Sequence, residues 1–263
     1  MNPANFLLEI FSQCTFFCIF VPVMMTKTRA LVLRAVKYGE RGLIVDMLCE
    51  EHGRLSFMVH IGQTQRSRMK KQLFQPLTML HVEFDHRPAL RLQRLKDVRV
   101  DCPYTSIPFD PFKLSISLFV AEFLLYATRD EQRNEPLFAY LEASLRWLDA
   151  STSHFANFHL VFMMRLSRFI GFFPNLDDYV EGCCFDLRNG EFTPQAPLHG
   201  DFVSPPEAAK IGLLMRMDYE TMRLFRMSRA ERNRCAELIL TYYRLHVPGF
   251  PQLRSLAVVQ ELF

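Results

Sequence analysis

The sequence predicts an α+β protein of two domains, a small five-stranded β-barrel followed by an α-helical domain with a hairpin insert. Strand-like segments with period-two alternation fill the first hundred residues. After Cys102-Pro103 the pattern changes to long apolar segments of helical character, and a turn-rich stretch at about residues 175–203 interrupts them. With 263 residues, of which 49% are hydrophobic, the chain is long enough to bury two cores.

The first domain is expected to contain five short antiparallel strands. Turns separate them, including the tight His52-Gly53 turn that is typical of a hairpin. In the third and fourth strands apolar residues alternate with polar ones, as in Leu80, Val82 and Phe84, so one face of each strand is buried. Closing such a sheet into a barrel removes its exposed edges. The strands are predicted at residues 28–36, 43–50, 55–61, 80–85 and 90–98.

The second domain is expected to be helical. The first helix is apolar on nearly every side, which places it at the centre of the core. Asn134 is the expected N-cap of the second helix, and Ser204 and Ser228 each begin a capping-box pattern. Gly171 and the Val247–Pro251 stretch end the third and fifth helices. The helices are predicted at residues 112–129, 135–150, 153–170, after 204, 229–246 and 255–262.

The insert at about residues 175–203 is expected to form a small β-hairpin. Asn189-Gly190 is a favoured two-residue turn, and it lies between two short apolar segments. Cys183 and Cys184 precede it, but they are adjacent, whereas structural zinc needs paired ligands at wider spacing. Only His199 lies downstream, so no metal ligand is predicted.

Residues 1–24 are expected to be a leader outside the folded domains. Their apolar run at 16–23 lacks the basic flank of a signal peptide and is short of the about 20 residues that span a bilayer. Met24 or Met25 is the expected true start, and a membrane or interfacial anchor is the alternative. The predicted division is therefore a leader at 1–24, a barrel domain at 25–102 and a helical domain at 103–263.

Charge is divided unevenly between the two domains. Residues 25–100 contain 15 Lys and Arg against 7 Asp and Glu, a net charge of +8, whereas residues 101–263 contain 16 against 20, a net charge of −4. A basic domain joined to a mildly acidic one indicates a polyanionic partner for the barrel. Scattered solvated charge is the alternative.

The loop between strands three and four concentrates this charge, with four basic residues and no acidic residue between 62 and 76. Such a loop can neutralise nucleic-acid phosphates without reading sequence. A mobile, solvated loop is the alternative. The predicted phosphate contacts are Arg66, Arg68, Lys70 and Lys71, supported by Arg34, Arg41, Arg91 and Arg94.

A second basic cluster surrounds Ser228. Its spacing of three drifts around a helix, so it forms no single stripe. It is either a solvated helix surface or a docking site for an acidic partner segment or for DNA. Its members are Arg223, Arg226, Arg229, Arg232 and Arg234.

No sequence motif indicates catalysis. There is no Walker loop, no Gly-x-Ser-x-Gly and no His-Glu-x-x-His. His154 and His159 are five residues apart on a predicted helix and point about 140° away from each other, which does not suit a metal. We therefore expect no enzyme activity and no cofactor, with a metal-dependent nuclease as the alternative. The seven irregularly spaced cysteines favour a reduced, cytoplasmic protein.

The order of these parts resembles the bacterial RecO family of DNA repair and recombination mediators. The resemblance covers residues 25–263. Each motif is short, but together their order and spacing are specific. The motifs are TRALVLR (28–34), ERGLIVDML (40–48), GRLS (53–56), QP (75–76), LSRFIGFFP (166–174) and LRSL (253–256).

The resemblance implies an OB-fold that binds single- and double-stranded DNA, anneals complementary strands and helps load recombinase onto strands coated by single-strand-binding protein. The implied partners are RecR, the acidic C-terminal tail of single-strand-binding protein and, indirectly, the RecA recombinase, with a nucleoid-associated location and no membrane. Some members carry a four-cysteine zinc module, and this chain departs from them by keeping only Cys183-Cys184. A generic OB-fold RNA-binding protein is the alternative.

Overall fold

The computed structural model describes residues 24–62 and 71–262. Within these residues, the part up to Cys102 contributes five strands, and the part after it contributes six helices and a small second sheet. Residues 1–23 of the predicted leader and residues 63–70 of the basic loop lie outside the described residues, whereas Met24 begins the first strand. The strands are β1 (Met24–Tyr38), β2 (Gly42–Cys49), β3 (Gly53–His60), β4 (Met79–His86), β5 (Leu92–Cys102), β6 (Cys184–Asp186), β7 (Glu191–Thr193) and β8 (Phe202–Val203). The helices are α1 (Pro111–Ala127), α2 (Glu135–Ala150), α3 (Phe158–Phe169), α4 (Pro205–Arg216), α5 (Arg229–His246) and α6 (Leu256–Leu262).

Strands β1 to β5 form a closed barrel in the order β1-β2-β3-β5-β4, with β4 pairing back to β1. The long β1 makes closure possible, because its first half pairs with β4 and its second half with β2. The β3–β5 pair is parallel and the other pairs are antiparallel. This arrangement confirms the predicted five-stranded barrel and fits an OB-fold. The expectation that all the strands would be antiparallel was wrong for β3 and β5.

Alternation along the strands fills the barrel interior as expected. Leu80, Val82 and Phe84 of β4 are buried there, together with Phe57 of β3. The rings of Phe57 and Phe84 pack edge to face with centroids 5.0 Å apart. The predicted start of the fifth strand was too early. The side chain of Gln93 hydrogen-bonds the backbone of Arg87 and the Leu90 carbonyl and holds residues 87–91 as a turn, so β5 begins at Leu92.

Helix α1 lies at the centre of the helical domain. Phe119 and Phe123 are fully buried and contact rings from α3 and α5, which explains why the helix is apolar on nearly every side. The Asn134 cap of α2 is confirmed, because its side chain accepts a hydrogen bond from the Leu137 amide at 3.0 Å. The capping box at Ser228 is also confirmed.

Two helix starts differ from the sequence prediction. Helix α3 begins at Phe158 and not near Ser153, because His154 adopts a left-handed backbone (φ 63°) that no helix continues through. Ser204 precedes α4, but its side chain makes no capping hydrogen bond, so the predicted capping box there is wrong.

The insert forms a three-stranded sheet in the order β7-β6-β8. The carboxylate of Asp186 accepts hydrogen bonds from the amides of Arg188 and Asn189, which holds the predicted hairpin turn. Cys183 and Cys184 are both buried at the start of this sheet. Among residues 24–62 and 71–262, no three His, Cys, Asp or Glu side chains lie close enough together to hold a metal ion.

The barrel packs directly against the helices. Leu31 and Leu48, on the outer face of the barrel, belong to the same buried cluster as Phe119 of α1. The guanidinium of Arg29 bridges Glu50 of the barrel and Glu142 of α2, each at 2.6 Å. The two parts therefore share one apolar core and a partly buried ionic contact. In the described part of the chain, no helix has the length and apolarity needed to cross a membrane.

The linker between barrel and helices is held by one carboxylate. Asp149, near the end of α2, accepts hydrogen bonds from the amides of Thr105, Ser106 and Ile107 at 2.8–2.9 Å. Burial acts to raise the pKa of Asp149, but these hydrogen bonds outweigh it and lower the pKa from 3.8 to about 2. The folded protein therefore favours the ionised carboxylate more than the unfolded chain does.

We expect Asp149→Asn to reduce the free energy of unfolding by about 2 kcal/mol at pH 7, because an amide replaces several charge-assisted hydrogen bonds. Since the folded pKa is depressed, this stabilisation is present above pH 4 and is lost as the pH falls towards 2. Urea unfolding at pH 7 and at pH 2 should show the two proteins converging in acid. An equal difference at both pH values would contradict this role.

Candidate nucleic-acid interface

A groove of about 780 Å³ separates the barrel from α1 and from the segment before α6. Its charged lining is mostly basic, with Arg34, Lys37, Lys71 and Arg254 against a single acid, Glu122. The carboxylate of Glu122 accepts hydrogen bonds from the amides of residues 254 and 255 at 3.1 and 2.8 Å, so it is engaged in holding that segment. The groove therefore presents net positive charge to solvent.

The basic charge is densest at one end of the barrel. Lys37, Arg41 and Lys71 line a smaller cavity of about 230 Å³ together with Glu40. All three basic side chains are exposed, and none forms an ion pair with another described residue. Gly62, the last described residue before residues 63–70, lines the same cavity. The predicted contacts Arg66, Arg68 and Lys70 lie outside the described residues.

Arg34 is held in place by a partner that the sequence did not reveal. Its guanidinium donates to Asp46 of β2 at 2.7 and 3.1 Å, and 52% of its side chain remains exposed. Burial acts to raise the pKa of Asp46, but hydrogen bonds from Ser56 and Arg34 outweigh it and lower the pKa. The carboxylate thus stays ionised at neutral pH. It orients Arg34 and offsets much of the charge that Arg34 can offer to a ligand.

The outer face of the barrel continues from the groove. Strand pairing aligns Val36, Ile44 and Met58 with Arg94 in one row across β1, β2, β3 and β5. Neighbouring strands are about 4.8 Å apart, so this row extends about 14 Å. Tyr38, with 59% of its surface exposed, lies at the end of β1 beside this row. This row is therefore apolar on β1, β2 and β3 and basic at its β5 end, where Arg94 is exposed.

The structure divides the eight predicted contacts into three groups. Arg34, Arg41 and Lys71 lie at the groove and the adjoining barrel end. Arg94, on β5, and Arg91, in the turn before it, are exposed at the opposite margin of the outer face. The remaining three, Arg66, Arg68 and Lys70, lie outside the described residues. The described residues therefore bring together only part of the predicted set.

Two groove residues are not among the eight predicted contacts. Lys37 lies between Arg34 and Arg41 in the sequence, where it could extend the predicted basic surface, and it lines both cavities. Arg254 comes from the far end of the chain and reaches the groove because Glu122 of α1 holds its backbone. The LRSL motif at 253–256 marked that segment, but nothing in the sequence indicated that it faces the barrel.

The second basic cluster does not act as one unit. Arg234 is ion-paired with Glu207 of α4, with its Nη2 and Oε2 atoms 3.0 Å apart. Arg223 and Arg226 are exposed before α5 and form no ion pair with another described residue. Part of the cluster is thus a structural contact, and part presents uncompensated charge.

Comparison with known proteins gives matches along nearly all of the folded chain. The family model for the recombination protein O N terminal matches residues 24–103, and that for the recombination protein O C terminal matches residues 108–257. The chain is 52% identical over 240 residues to the DNA repair protein RecO of Phocaeicola vulgatus, covering 91% of this chain and all of that protein. It is 52% identical over 241 residues to the protein of the same name from Bacteroides fragilis, with the same coverage. For that of Christiangramia forsetii the identity is 35% over 247 residues, again with 91% and complete coverage. Together with the closed barrel and the helical domain that follows it, these matches establish that the chain belongs to the RecO family.

Proposed function

We propose that this chain is a non-catalytic DNA repair protein that binds single- and double-stranded DNA, anneals complementary strands and helps load recombinase onto strands coated by single-strand-binding protein. The observation that carries the proposal is the basic groove between the barrel and α1, together with the exposed basic residues at the adjoining end of the barrel. The names of the relatives, all DNA repair proteins, support the same conclusion.

The groove suits the phosphodiester backbone better than the bases. Lys37, Arg41 and Lys71 offer flexible or forked cationic groups that are free of ion pairs with described residues. Few exposed rings accompany them. Tyr38 is exposed at the end of β1, and the rings that line the groove, Phe74 and Tyr126, are buried and half-buried. Backbone contact without base readout is what a protein needs if it must act on any sequence. Arg66, Arg68 and Lys70 would add to this charge from the adjoining loop.

Annealing also requires that two polyanions approach each other. Neutralising the phosphates of each strand releases counterions and lowers the repulsion between the strands. The apolar part of the outer face, at Val36, Ile44 and Met58, leaves room for bases that are not held by specific hydrogen bonds. This combination favours transient holding of a strand, from which pairing with a complement can proceed.

The proposed protein partners follow from family membership. They are RecR, the acidic C-terminal tail of single-strand-binding protein and, through loading, the RecA recombinase. An acidic tail would be attracted to basic surfaces of this chain, and such attraction is sensitive to salt. Binding of a synthetic acidic tail peptide and of purified RecR, measured at 50 and 300 mM salt, would test these contacts separately from DNA binding.

The central test is annealing. Two complementary, fluorescently labelled strands are coated with cognate single-strand-binding protein and mixed with the full chain. We expect pairing to accelerate at least about tenfold, and the triple variant Lys37→Gln, Arg41→Gln and Lys71→Gln to lose most of that acceleration, because phosphate contacts drive the binding.

Three outcomes would contradict the proposal. If the wild-type chain does not accelerate annealing of the coated strands, its role is reduced to salt-sensitive binding of bare strands. A clear preference for RNA when DNA and RNA of the same sequence compete would indicate recognition of the 2′-hydroxyl and favour an RNA-binding role. The same DNA, incubated with Mg2+ or Mn2+, should remain intact, and cleavage would argue for an enzyme.

A further inference from the structure

We infer that the helical domain carries a second binding surface for the phosphate backbone of a nucleic-acid strand, formed by Arg216, Arg223, Arg226 and Arg229. We call residues 216–229 the arginine arm. The inference rests on the proposed function, because it assigns a place for a second strand when the groove holds the first. It concerns a different domain and different residues from the groove.

The arginine arm is held firmly against the helices. The side-chain amide of Asn157, itself buried, donates to the carbonyls of Met222 and Phe225 at 3.4 and 3.0 Å. The carboxylate of Asp218 accepts from the amide and hydroxyl of Thr221 at 2.6 and 2.7 Å. An arm fixed in this way loses little further freedom when a ligand binds, which favours affinity.

The aromatic ring of Tyr219 adds a second anchor. It stacks on Trp147 of α2 and on Phe158 of α3, with ring centroids 5.2 and 5.1 Å apart. Its hydroxyl donates to Ser144 at 2.8 Å. The backbone of the arm is thus fixed at several points, while Arg216, Arg223 and Arg226 are exposed. Arg229 is exposed too, but its Nε donates to the carbonyl of Gln260 at 2.7 Å.

The arginine arm lies across α2 from the barrel. Glu142 of α2 pairs with Arg29 of β1, whereas Ser144 and Tyr140 of the same helix contact Tyr219 of the arm. Two residues along a helix correspond to a rotation of about 200°, so these contacts are on opposite faces of α2. With side chains, a helix is about 10–12 Å wide. A strand on the arm would therefore be separated from one held at the barrel.

The arginine arm carries a net positive charge. Arg216, Arg223 and Arg226 are exposed and form no ion pair with another described residue. Residues 216–229 contain four arginines against two acids, Asp218 and Glu220, which gives a net charge of +2. By contrast, Arg165, which lies behind the arm, is paired with Asp218 at 3.9 Å. The arm thus concentrates positive charge in a domain whose overall charge is negative.

The shape of the arm favours a phosphate backbone over an acidic peptide. Leu224, at its centre, projects with 70% of its surface exposed, so the surface is raised and not recessed. Peptides bind mainly through anchor side chains that fill pockets, and the cavities described above are lined by other parts of the chain. Guanidinium groups, in contrast, can bind phosphates in a forked geometry on an open surface.

The test counts strands per protein chain. Donor- and acceptor-labelled oligothymidine strands, which cannot pair with each other, are mixed with the full chain, and energy transfer reports that both are bound together. Sedimentation in parallel counts the protein copies in each complex. We expect two strands per wild-type chain and one per chain for R216Q/R223Q/R226Q, with single-strand affinity reduced less than threefold.

A matched control removes the same charge elsewhere. The variant R133Q/R188Q/R244Q changes three exposed arginines outside the groove and the arm, and it should still bind two strands. If the triple variant fails to fold, the double variant R223Q/R226Q is tested in its place. Thermal unfolding shows whether each variant is folded, and surface changes of this kind usually alter stability by less than about 0.5 kcal/mol.

Each outcome separates the inference from the proposed function. A wild-type chain that binds only one strand, or an arm variant that still binds two, overturns the second surface and leaves the groove proposal intact. If the arm variant loses binding of a polyglutamate peptide but still binds two strands, the second strand-binding surface is overturned in favour of a site for an acidic protein partner. A wild-type chain that binds no strand at all contradicts the proposed function itself.

Discussion

Replacing Lys37, Arg41 and Lys71 together with glutamine is expected to weaken binding of single-stranded DNA on the order of 100-fold at 0.1 M salt. For single strands the logarithm of the binding constant falls with the logarithm of salt concentration at about 0.7 per phosphate contact. Losing three contacts should therefore reduce that slope by about 2. Fluorescence anisotropy with a labelled oligothymidine strand, titrated at several salt concentrations, measures both the affinity and the slope.

The control for this prediction is again R133Q/R188Q/R244Q, which removes the same three charges from exposed positions away from the groove. Arg133 and Arg188 are engaged in surface ion pairs with Glu135 and Asp201, and such pairs contribute little to stability. If both triple variants lost affinity equally, net charge alone would govern binding and the groove would have no special place in it. An unchanged salt slope in the groove variant would contradict the phosphate contacts.

Replacing Gly53 with alanine is expected to lower the free energy of unfolding by about 3–4 kcal/mol, which corresponds to a fall of about 10 °C in the thermal midpoint. Gly53 has a φ of 66°, and a Cβ atom there would overlap the backbone of Glu131 and Gln132. Because the overlap is with backbone atoms, no change of side-chain rotamer can relieve it. Relieving it would move the α1–α2 connection away from the barrel and break the hydrogen bond between the Arg54 amide and the Glu131 carbonyl, now 2.9 Å long.

Gly39→Ala is the matched control for backbone strain. Gly39 has a similar φ of 63°, but no heavy atom lies within 4 Å of the position that its Cβ would occupy. The Gly39→Ala variant should therefore lose only about 1 kcal/mol of the free energy of unfolding, the cost of placing alanine in a left-handed backbone. Chemical denaturation of both variants measures the difference. Equal losses would mean that the barrel and the α1–α2 connection move apart without cost, contrary to the shared core.

Local pattern was sufficient for most of the secondary structure. The alternation at Leu80, Val82 and Phe84 predicts a half-buried strand, and the Asn134 and Ser228 caps satisfy helix amides within four residues of themselves. These signals act over a few residues, so the sequence displays them directly. Where the prediction was wrong, a distant or unusual interaction decided the outcome, as in the left-handed backbone of His154 that delays α3.

The candidate site could be predicted only in part. The excess of positive charge in the barrel domain and its concentration near Lys71 are visible in the composition. The partner of Arg34 is not visible in the composition. Asp46 is on the neighbouring strand, and whether the two side chains meet depends on the strand register. Arg254 lies more than 180 residues along the chain from Lys71 and lines the same groove.

The sequence by itself determined a basic five-stranded barrel followed by helices, and its motifs resembled one family. Periodicity and charge are properties of neighbouring residues, and burying each apolar face leaves few alternatives. Tertiary structure decided which cations remain free and which are paired, as it did for Lys37 and Arg34. It also placed the barrel residue Arg29 and the arm residue Tyr219 on opposite faces of α2, because only packing fixes which face of a helix each distant segment meets.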